Sequence, residues 1–250
     1  MTQPIALITG ATSGIGEATA RLLSNNYRLI ICGRREDRLR KLKDELKGDV
    51  QILSFDVRDK KAVFNAISSL PKDWQQIDIL INNAGNAHGM DLIHEGNPDD
   101  WDAMMDINVK GLLYVSKAVL PQMVDRKKGH IVNISSIAGL EVYPRGNVYC
   151  ASKHAVDALT KGMRLDLNEH GIKVTSIDPG LVETEFSKVR FKGDSDRAKQ
   201  VYQNYTPLTA HDVAETIEFV LSRPAHVMIG DLLILPTDQA SSTIVNKKSN

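Results

Sequence analysis

Short apolar runs alternate along the chain with longer stretches whose apolar positions recur at helical spacing. Residues 5–8, 27–33, 50–55, 77–81, 130–134, 172–177 and 231–235 are short apolar-rich runs that read as buried strands. Between them, 17–23, 36–47, 101–126, 149–170 and 210–222 carry helical periodicity. Strand followed by helix, repeated, predicts an α/β fold: one doubly wound parallel sheet of about seven strands with helices on both faces. Residues 1–250 are expected to form one domain, since nothing in the chain reads as a linker or a repeat. The segment 186–205 is polar and weakly periodic, as a lid over a site would be. The polar tail, 236–250, is expected to lie on a partner subunit or to be loose.

The turn after the first strand carries the first chemical signal. Thr9-Gly10-Ala11-Thr12-Ser13-Gly14-Ile15-Gly16 has glycines spaced G-x-x-x-G-x-G between a strand and a helix. Such a turn aims a helix N-terminus at a phosphate. Gly10 allows the turn, Gly14 lets backbone approach a pyrophosphate, and Gly16 lets the helix pack closely. The second strand ends in Arg34-Arg35 with no acid at the strand end. Two cations at the start of a helix oppose its dipole, which makes sense if a phosphate sits there. That favours NADP, with its 2′-phosphate, over NAD. Asp56, after the third strand, either accepts from an adenine amino group or caps the helix or turn that follows. Asn82-Asn83-Ala84-Gly85 ends the fourth strand at the ligand-binding edge of the sheet.

Composition narrows the partners. Lysine plus arginine and aspartate plus glutamate stand at 31 each, which leaves no net charge to hold nucleic acid or an anionic membrane. No apolar run is long enough to span a bilayer. The two cysteines, Cys32 and Cys150, have no metal-ligand spacing, so no metal is expected. Reduced thiols and the absence of a signal-peptide pattern suit a cytoplasmic protein.

Four residues carry candidate chemistry. Tyr149 and Lys153 are four apart on a helix and share a face. Such a pair is commonly a surface contact, but Ser136 lies upstream at a strand end and the glycine turn already implies a dinucleotide. Tyrosine titrates near pH ~10, so action as a base near neutrality needs about three units of help. A lysine ammonium one turn away supplies help of that sign. Asn108 is a polar residue inside an apolar helical stretch and needs partners if buried. Arg190 is a candidate clamp for a substrate carboxylate, with Lys192 and Arg145 as alternatives, or all three are solvated lid charges.

Taken in order, Thr9-Gly10…Gly14-Ile15-Gly16, Asn82-Asn83-Ala84-Gly85, Asn108, Ser136, Tyr149…Lys153 and Pro179-Gly180 resemble the short-chain dehydrogenase/reductase family over nearly the whole chain. Residues 180–191, Tyr202-Gln203-Asn204 and Pro224-Ala225-His226-Val227 are similar to a narrower branch, the NADP-dependent 3-hydroxy acid dehydrogenases acting on serine, allo-threonine and related acids. The resemblance implies a Rossmann-like fold with Tyr149 as acid/base, Lys153 lowering its pKa and holding the nicotinamide ribose, Ser136 steadying the substrate oxygen, and Asn108 holding a relay water. It implies an NADP site built from Gly10, Thr12, Ser13, Gly14, Ile15, Gly16, Arg34, Arg35, Asp56, Val57, Asn83, Ala84, Gly85, Tyr149, Lys153, Pro179, Gly180, Val182 and Thr184. Substrate is expected on Ser136, Tyr149 and Arg190, in a pocket also lined by Glu141, Tyr143 and Arg145. A homotetramer is expected, since the two long helices carry broad apolar faces. The competing activities are a general carbonyl reductase, a 3-oxoacyl-carrier reductase and a non-enzymatic dinucleotide sensor.

Overall fold

A computed structural model describes residues 3–248. In chain order the elements are β1 Ile5–Ile8, α1 Gly14–Leu23, β2 Arg28–Gly33, α2 Glu36–Glu45, β3 Val50–Ser54, α3 Lys60–Ser68, β4 Ile79–Asn82, α4 Pro98–Met105, α5 Leu112–Arg126 and β5 Gly129–Ile134. The second half contains α6 Asn147–Leu167, β6 Ile172–Pro179, β7 Val182–Glu183, α7 Phe186–Arg190, α8 Ser195–Gln200, β8 Leu208–Thr209, α9 Ala210–Leu221 and β9 Asp231–Ile234. Seven strands form one parallel sheet in the order β3-β2-β1-β4-β5-β6-β9. The order reverses between β1 and β4, which opens a crevice at their carboxyl ends.

Strand alternation divides the core. From β1, Ile5 and Leu7 pack toward α3, α5 and α6 with Val63, Val119, Met123 and Leu167. Ala6 and Ile8 pack on the other face toward α1, α2 and α9 with Leu23, Leu39 and Ile217. Burial on both faces is why these strands read as apolar-rich runs rather than alternating ones.

Two elements differ from expectation. The helix expected over 101–126 begins at Pro98 and is interrupted by a π-helical segment, Asp106–Gly111. A π segment inserts an extra residue per turn and re-aims the helix beyond it, and Asn108 lies within it. Helical periodicity alone does not reveal a one-residue insertion. The tail is neither loose nor free of its own chain as far as Lys248. Gln239 Oε1 accepts from Leu181 N at 2.8 Å, Glu141 Oε2 accepts from Ser242 N at 2.8 Å, and Lys248 N donates to Asn204 O at 2.8 Å. The polar segment 186–205 holds two short helices, and the parallel pair β7–β8 clips its two ends together.

His130 shows how tightly the sheet is closed. It is buried in β5, with Nε2 and Thr175 Oγ1 2.9 Å apart. Thr175 Oγ1 already donates to Ile229 O at 2.7 Å, so the ring must be the donor and Nε2 carries the proton. Burial, with Lys173 adding to it, pushes the imidazole pKa down to about 3. The folded protein therefore keeps this ring neutral while the unfolded chain protonates it below pH ~6.5. Its contribution to stability is complete above that pH and is lost as pH falls toward the folded value. Between pH 7 and 5, His130→Gln should lose about 2 kcal/mol less stability than the wild type in urea unfolding. Parallel losses would contradict a neutral buried ring.

Candidate active site

The glycine turn is held by side chains of the neighbouring strand ends. Thr9 Oγ1 accepts from both Asn83 N and Ala84 N at 3.0 Å. Asn83 Nδ2 donates back to Thr9 O at 2.9 Å and Gly10 O at 3.2 Å. Gly10 has φ +67°, and a Cβ there would stand 2.9 Å from the Ala84 Cα. A Cβ on Gly16 would stand 2.5 Å from Gly10 O and from Asn83 Nδ2. Gly16 thus seats helix α1 closely on the turn itself.

The cleft that opens here has a volume of about 520 Å³. It is lined by Gly10, Thr12, Ser13, Gly14, Ile15, Arg34, Arg35, Asp56, Val57, Asn83, Ala84 and Gly85 at one end. At the other it is lined by Ser136, Tyr149, Lys153, Pro179, Gly180, Val182, Thr184 and Arg190. Open glycine backbone, an exposed guanidinium at Arg34 and an elongated shape fit a dinucleotide phosphate. Asp56 does not cap α3: Asp59 does, accepting from Ala62 N at 3.0 Å. The Asp56 carboxylate instead holds Arg58, with Nη2 at 2.7 Å, and stands 3.5 Å from Arg34 Nη1.

Arg35 lies along the glycine turn. Its Nη2 donates to Thr12 Oγ1 at 2.8 Å and Ser13 Oγ at 2.9 Å, and its Nη1 donates to Glu185 Oε2 at 3.2 Å. Arg38, one turn further along α2, donates to both Glu185 oxygens at 3.0 Å. Partial burial works against the Glu185 charge, but the bonds from Arg38 and Arg35 outweigh it and hold the carboxyl below its ordinary range. Sequence alone assigned no role to Arg38 or Glu185, and it showed Thr9 only as the start of the glycine turn. Arg38 stood one helical turn from Arg34-Arg35, and Thr9 stood directly before the glycines.

At the other end, α6 presents Tyr149 and Lys153 into the cleft, both buried. Lys153 Nζ donates to Ile134 O at 3.0 Å and lies 6.0 Å from the Tyr149 ring centroid. The short turn Ile137–Gly139 backs directly onto α6: a Cβ on Gly139 would stand 2.8 Å from Lys153 O. Ser136 caps that turn, accepting from Ala138 N at 3.1 Å, and its hydroxyl donates to Pro179 O at 3.3 Å. Burial pushes the Tyr149 phenol well above its ordinary pKa, with Tyr143 adding to the rise; a hydrogen bond with Ser136 and the charge of Arg190 oppose it. In the free protein desolvation dominates, and the phenol keeps its proton.

Asn108 is buried and has the partners that burial requires. It stands behind Gly85 rather than on the cleft wall, and a Cβ on Gly85 would lie 3.0 Å from its Oδ1. Its Oδ1 accepts from Asn86 N at 2.9 Å, and its Nδ2 donates to Asn86 O at 2.9 Å and Ser152 Oγ at 3.0 Å. The side chain clamps the β4 loop to α6, with both Nδ2 hydrogens used.

Arg190 closes the far end. Its guanidinium carbon is 5.6 Å from each of the Tyr143 and Tyr149 ring centroids, and Nε donates to Gly89 O at 3.1 Å. Lys192 is paired with Asp100 at 2.9 Å and lies outside the cleft. Arg145 is exposed, in left-handed backbone with φ +65°, and borders a small hollow beside His88 and Asp91 that shares Tyr149 and Arg190 with the cleft. Of the expected pocket residues, Tyr143 lines the cleft and Glu141 is tied to Ser242.

Burial lowers the Lys153 pKa to about 8, against the pull of the Asp178 charge. Asp178, buried in β6 and accepting from Ser176 Oγ at 2.8 Å, is itself raised to about 6 by burial. The Lys153 ammonium should titrate by nitrogen NMR near pH 8, and lower still in Asp178→Asn. A midpoint near the ordinary lysine value in both proteins would contradict this burial.

Residues 4–195 match the model of the short chain dehydrogenase family. The NADP-dependent 3-hydroxy acid dehydrogenase YdfG of Escherichia coli K12 is 48% identical over 238 residues, covering 94% of this chain and 96% of that protein. The NADP-dependent 3-hydroxy acid dehydrogenase of Schizosaccharomyces pombe is 42% identical over 248 residues, covering 97% and 96%. Among solved structures, the closed form of a serine dehydrogenase complexed with NADP+ superposes with a TM-score of 0.94 at 45% identity, covering 98% of this chain and 100% of that one. With the sheet order, the glycine turn and the buried Ser136, Tyr149 and Lys153 in one cleft, the chain belongs to the short chain dehydrogenase family.

Proposed function

We propose that this protein is an NADP-dependent oxidoreductase that oxidises the hydroxyl of small 3-hydroxy acids such as serine, allo-threonine or 3-hydroxyisobutyrate. The observation that carries this reading is the meeting, in one cleft, of an arginine-flanked glycine turn with a buried serine, tyrosine and lysine. When bound, NADP supplies the oxidised nicotinamide ring that accepts hydride from the substrate carbon. Gly10, Thr12, Ser13, Gly14 and Ile15 hold its pyrophosphate, Arg34 and Arg35 its 2′-phosphate, and Asp56 and Val57 flank the adenine. Asn83, Ala84 and Gly85 hold the adjoining ribose, and Pro179, Gly180, Val182 and Thr184 cover the nicotinamide end. The match to relatives whose names carry NADP supports the assignment.

The proton path belongs to the chain's own residues. Ser136 Oγ donates to the substrate oxygen and steadies the alkoxide that develops as the hydroxyl loses its proton. Tyr149 Oη takes the hydroxyl proton. Because burial keeps the phenol protonated in the free protein, positive charge must reach it during the reaction, from Lys153 on the cofactor ribose and from the oxidised ring. Asn108 is a positioning residue that fixes Gly85 and Ser152, and so the approach of α6. Arg190, which lines the cleft between two tyrosine rings, binds the substrate carboxylate. An intact acid/base pair speaks against a dinucleotide sensor, and a cleft arginine favours small acids over plain carbonyl compounds.

Homotetramer assembly is part of the same proposal. Leu113 on α5 and Leu165 on α6 are exposed, Leu165 at 80%, as are Phe219 on α9 and Leu233 on β9. A second copy covers such surfaces at less cost than water does. The buried, unpaired Cys32 and Cys150 suit a reducing cytoplasm.

Tyr149→Phe should keep NADP affinity and lose turnover by about 10²- to 10⁴-fold. Turnover near wild type would defeat the acid/base assignment. Arg190→Ala should raise KM for 3-hydroxy acids roughly tenfold or more while sparing neutral alcohols. A similar rise for both would place the carboxylate elsewhere. Light scattering should give the mass of four chains, and a single-chain mass would overturn the assembly.

A further inference from the structure

Glu185 is placed oddly for a residue of the cover over the nicotinamide. It stands directly after Thr184, which packs on Gly14, and it opens helix α7. Yet its carboxylate reaches across to α2 and takes Arg35 and Arg38 together. The other end of α7 is Arg190, which is tied to Gly89 through its Nε and through a backbone pair, Gly89 N donating to Arg190 O at 2.9 Å. One short helix therefore has its first end fixed to the arginines of the phosphate end and its last end at the carboxylate clamp. At about 1.5 Å per residue, five residues form a lever only about 7 to 8 Å long.

The donor groups of Arg35 are all engaged, while Arg38 reaches Glu185 and Thr12 O through Nη1. On Arg35, Nε and Nη2 already donate to Thr12 and Ser13, which leaves Nη1 as the edge facing outward. Glu185 holds that edge. Both of its oxygens also accept from Arg38. A phosphate monoester carries a charge of about −1.5 to −2, and it meets the same guanidinium edges only beside a full carboxylate charge. Like charges that close repel strongly in a partly desolvated cleft. The phosphate, with more charge and more acceptor oxygens, wins both arginines.

We propose that Glu185 is an internal counter-anion for the 2′-phosphate subsite. It occupies the Arg35–Arg38 pair in the free protein, a cofactor 2′-phosphate displaces it, and the displacement unpins the helix that ends in Arg190. This rests on the reading above that Arg35, with Arg34, takes the 2′-phosphate, and it adds Arg38 to that subsite. Glu185 then has two effects. It weakens phosphate binding by competition, and it makes the seating of Arg190 on substrate depend on a phosphate having arrived. A dinucleotide without the 2′-phosphate fills the cleft but leaves α7 pinned.

The test uses the ligand-free full chain and two fragments, 2′,5′-ADP and 5′-AMP, which differ only in the phosphate in question. Titration calorimetry should find that Glu185→Gln and Glu185→Ala bind 2′,5′-ADP about threefold to tenfold tighter than wild type, with 5′-AMP affinity unchanged. Glu185 is substantially exposed and makes no side-chain cap to α7, so both variants should fold. Hydrogen exchange supplies a second readout. In the wild type, 2′,5′-ADP should speed exchange of the amides in 186–192, and 5′-AMP should not. In both variants those amides should exchange faster from the start, with no further response. Unchanged or weaker 2′,5′-ADP binding in the variants would overturn the proposal, as would exchange in 186–192 that ignores 2′,5′-ADP. If wild type itself bound 2′,5′-ADP no better than 5′-AMP, the assignment of the arginines to a 2′-phosphate would fall instead, and the counter-anion proposal with it.

Discussion

An ammonium held inside the protein by a single backbone carbonyl is the constraint on which the site depends. Lys153 is only 6% exposed, and Ile134 O is its hydrogen-bond acceptor in the structure. A buried lysine is costly unless something repays the lost water. Burial moves its pKa to about 8 and moves the Tyr149 phenol in the opposite direction, so each group is driven toward its neutral form. The free site is thus a desolvated pair awaiting charge. The surrounding fold makes that state tolerable. The Ile137–Gly139 turn supports α6 at Lys153, Asn108 braces Ser152 against the β4 loop, and buried Asp178 contributes a distant negative charge.

The two ends of the cleft are connected by packing rather than by proximity in sequence. Thr9 and Asn83 lock the strand ends of β1 and β4 into one unit, so the glycine turn cannot shift without the loop that leads to Asn86 and Asn108. On the opposite wall, β7–β8 closes the excursion that contains α7 and α8, and Gln239 from the tail holds Leu181 in place. Binding surface and chemical groups therefore belong to two walls, each internally braced, that meet across the crevice at the reversal of strand order.

Most of this frame was legible in the sequence because it depends on local signals. Apolar runs marked the sheet strands, and the glycine turn marked the phosphate end, since each needs only a few consecutive residues to be recognised. The features that escaped depend on partners distant in the chain. Nothing near residue 185 says that its carboxylate will meet arginines 147 and 150 positions earlier. The π segment around Asn108 is invisible to periodicity, because one inserted residue leaves the apolar stripe nearly intact. The tail looked unanchored because its contacts, Gln239 with Leu181 and Ser242 with Glu141, run between short polar side chains and backbone. Nor could residue type show how strongly desolvation raises Tyr149, since burial is a property of the assembled site.

The most direct test of the central claim is NADPH formation, followed by absorbance, with a panel of serine, allo-threonine and 3-hydroxyisobutyrate beside plain secondary alcohols of similar size. The account predicts turnover of the acids with kcat/KM about tenfold or more above the alcohols, since only the acids can engage a charged cleft arginine. Equal values across the panel, or no NADPH from any acid, would contradict it.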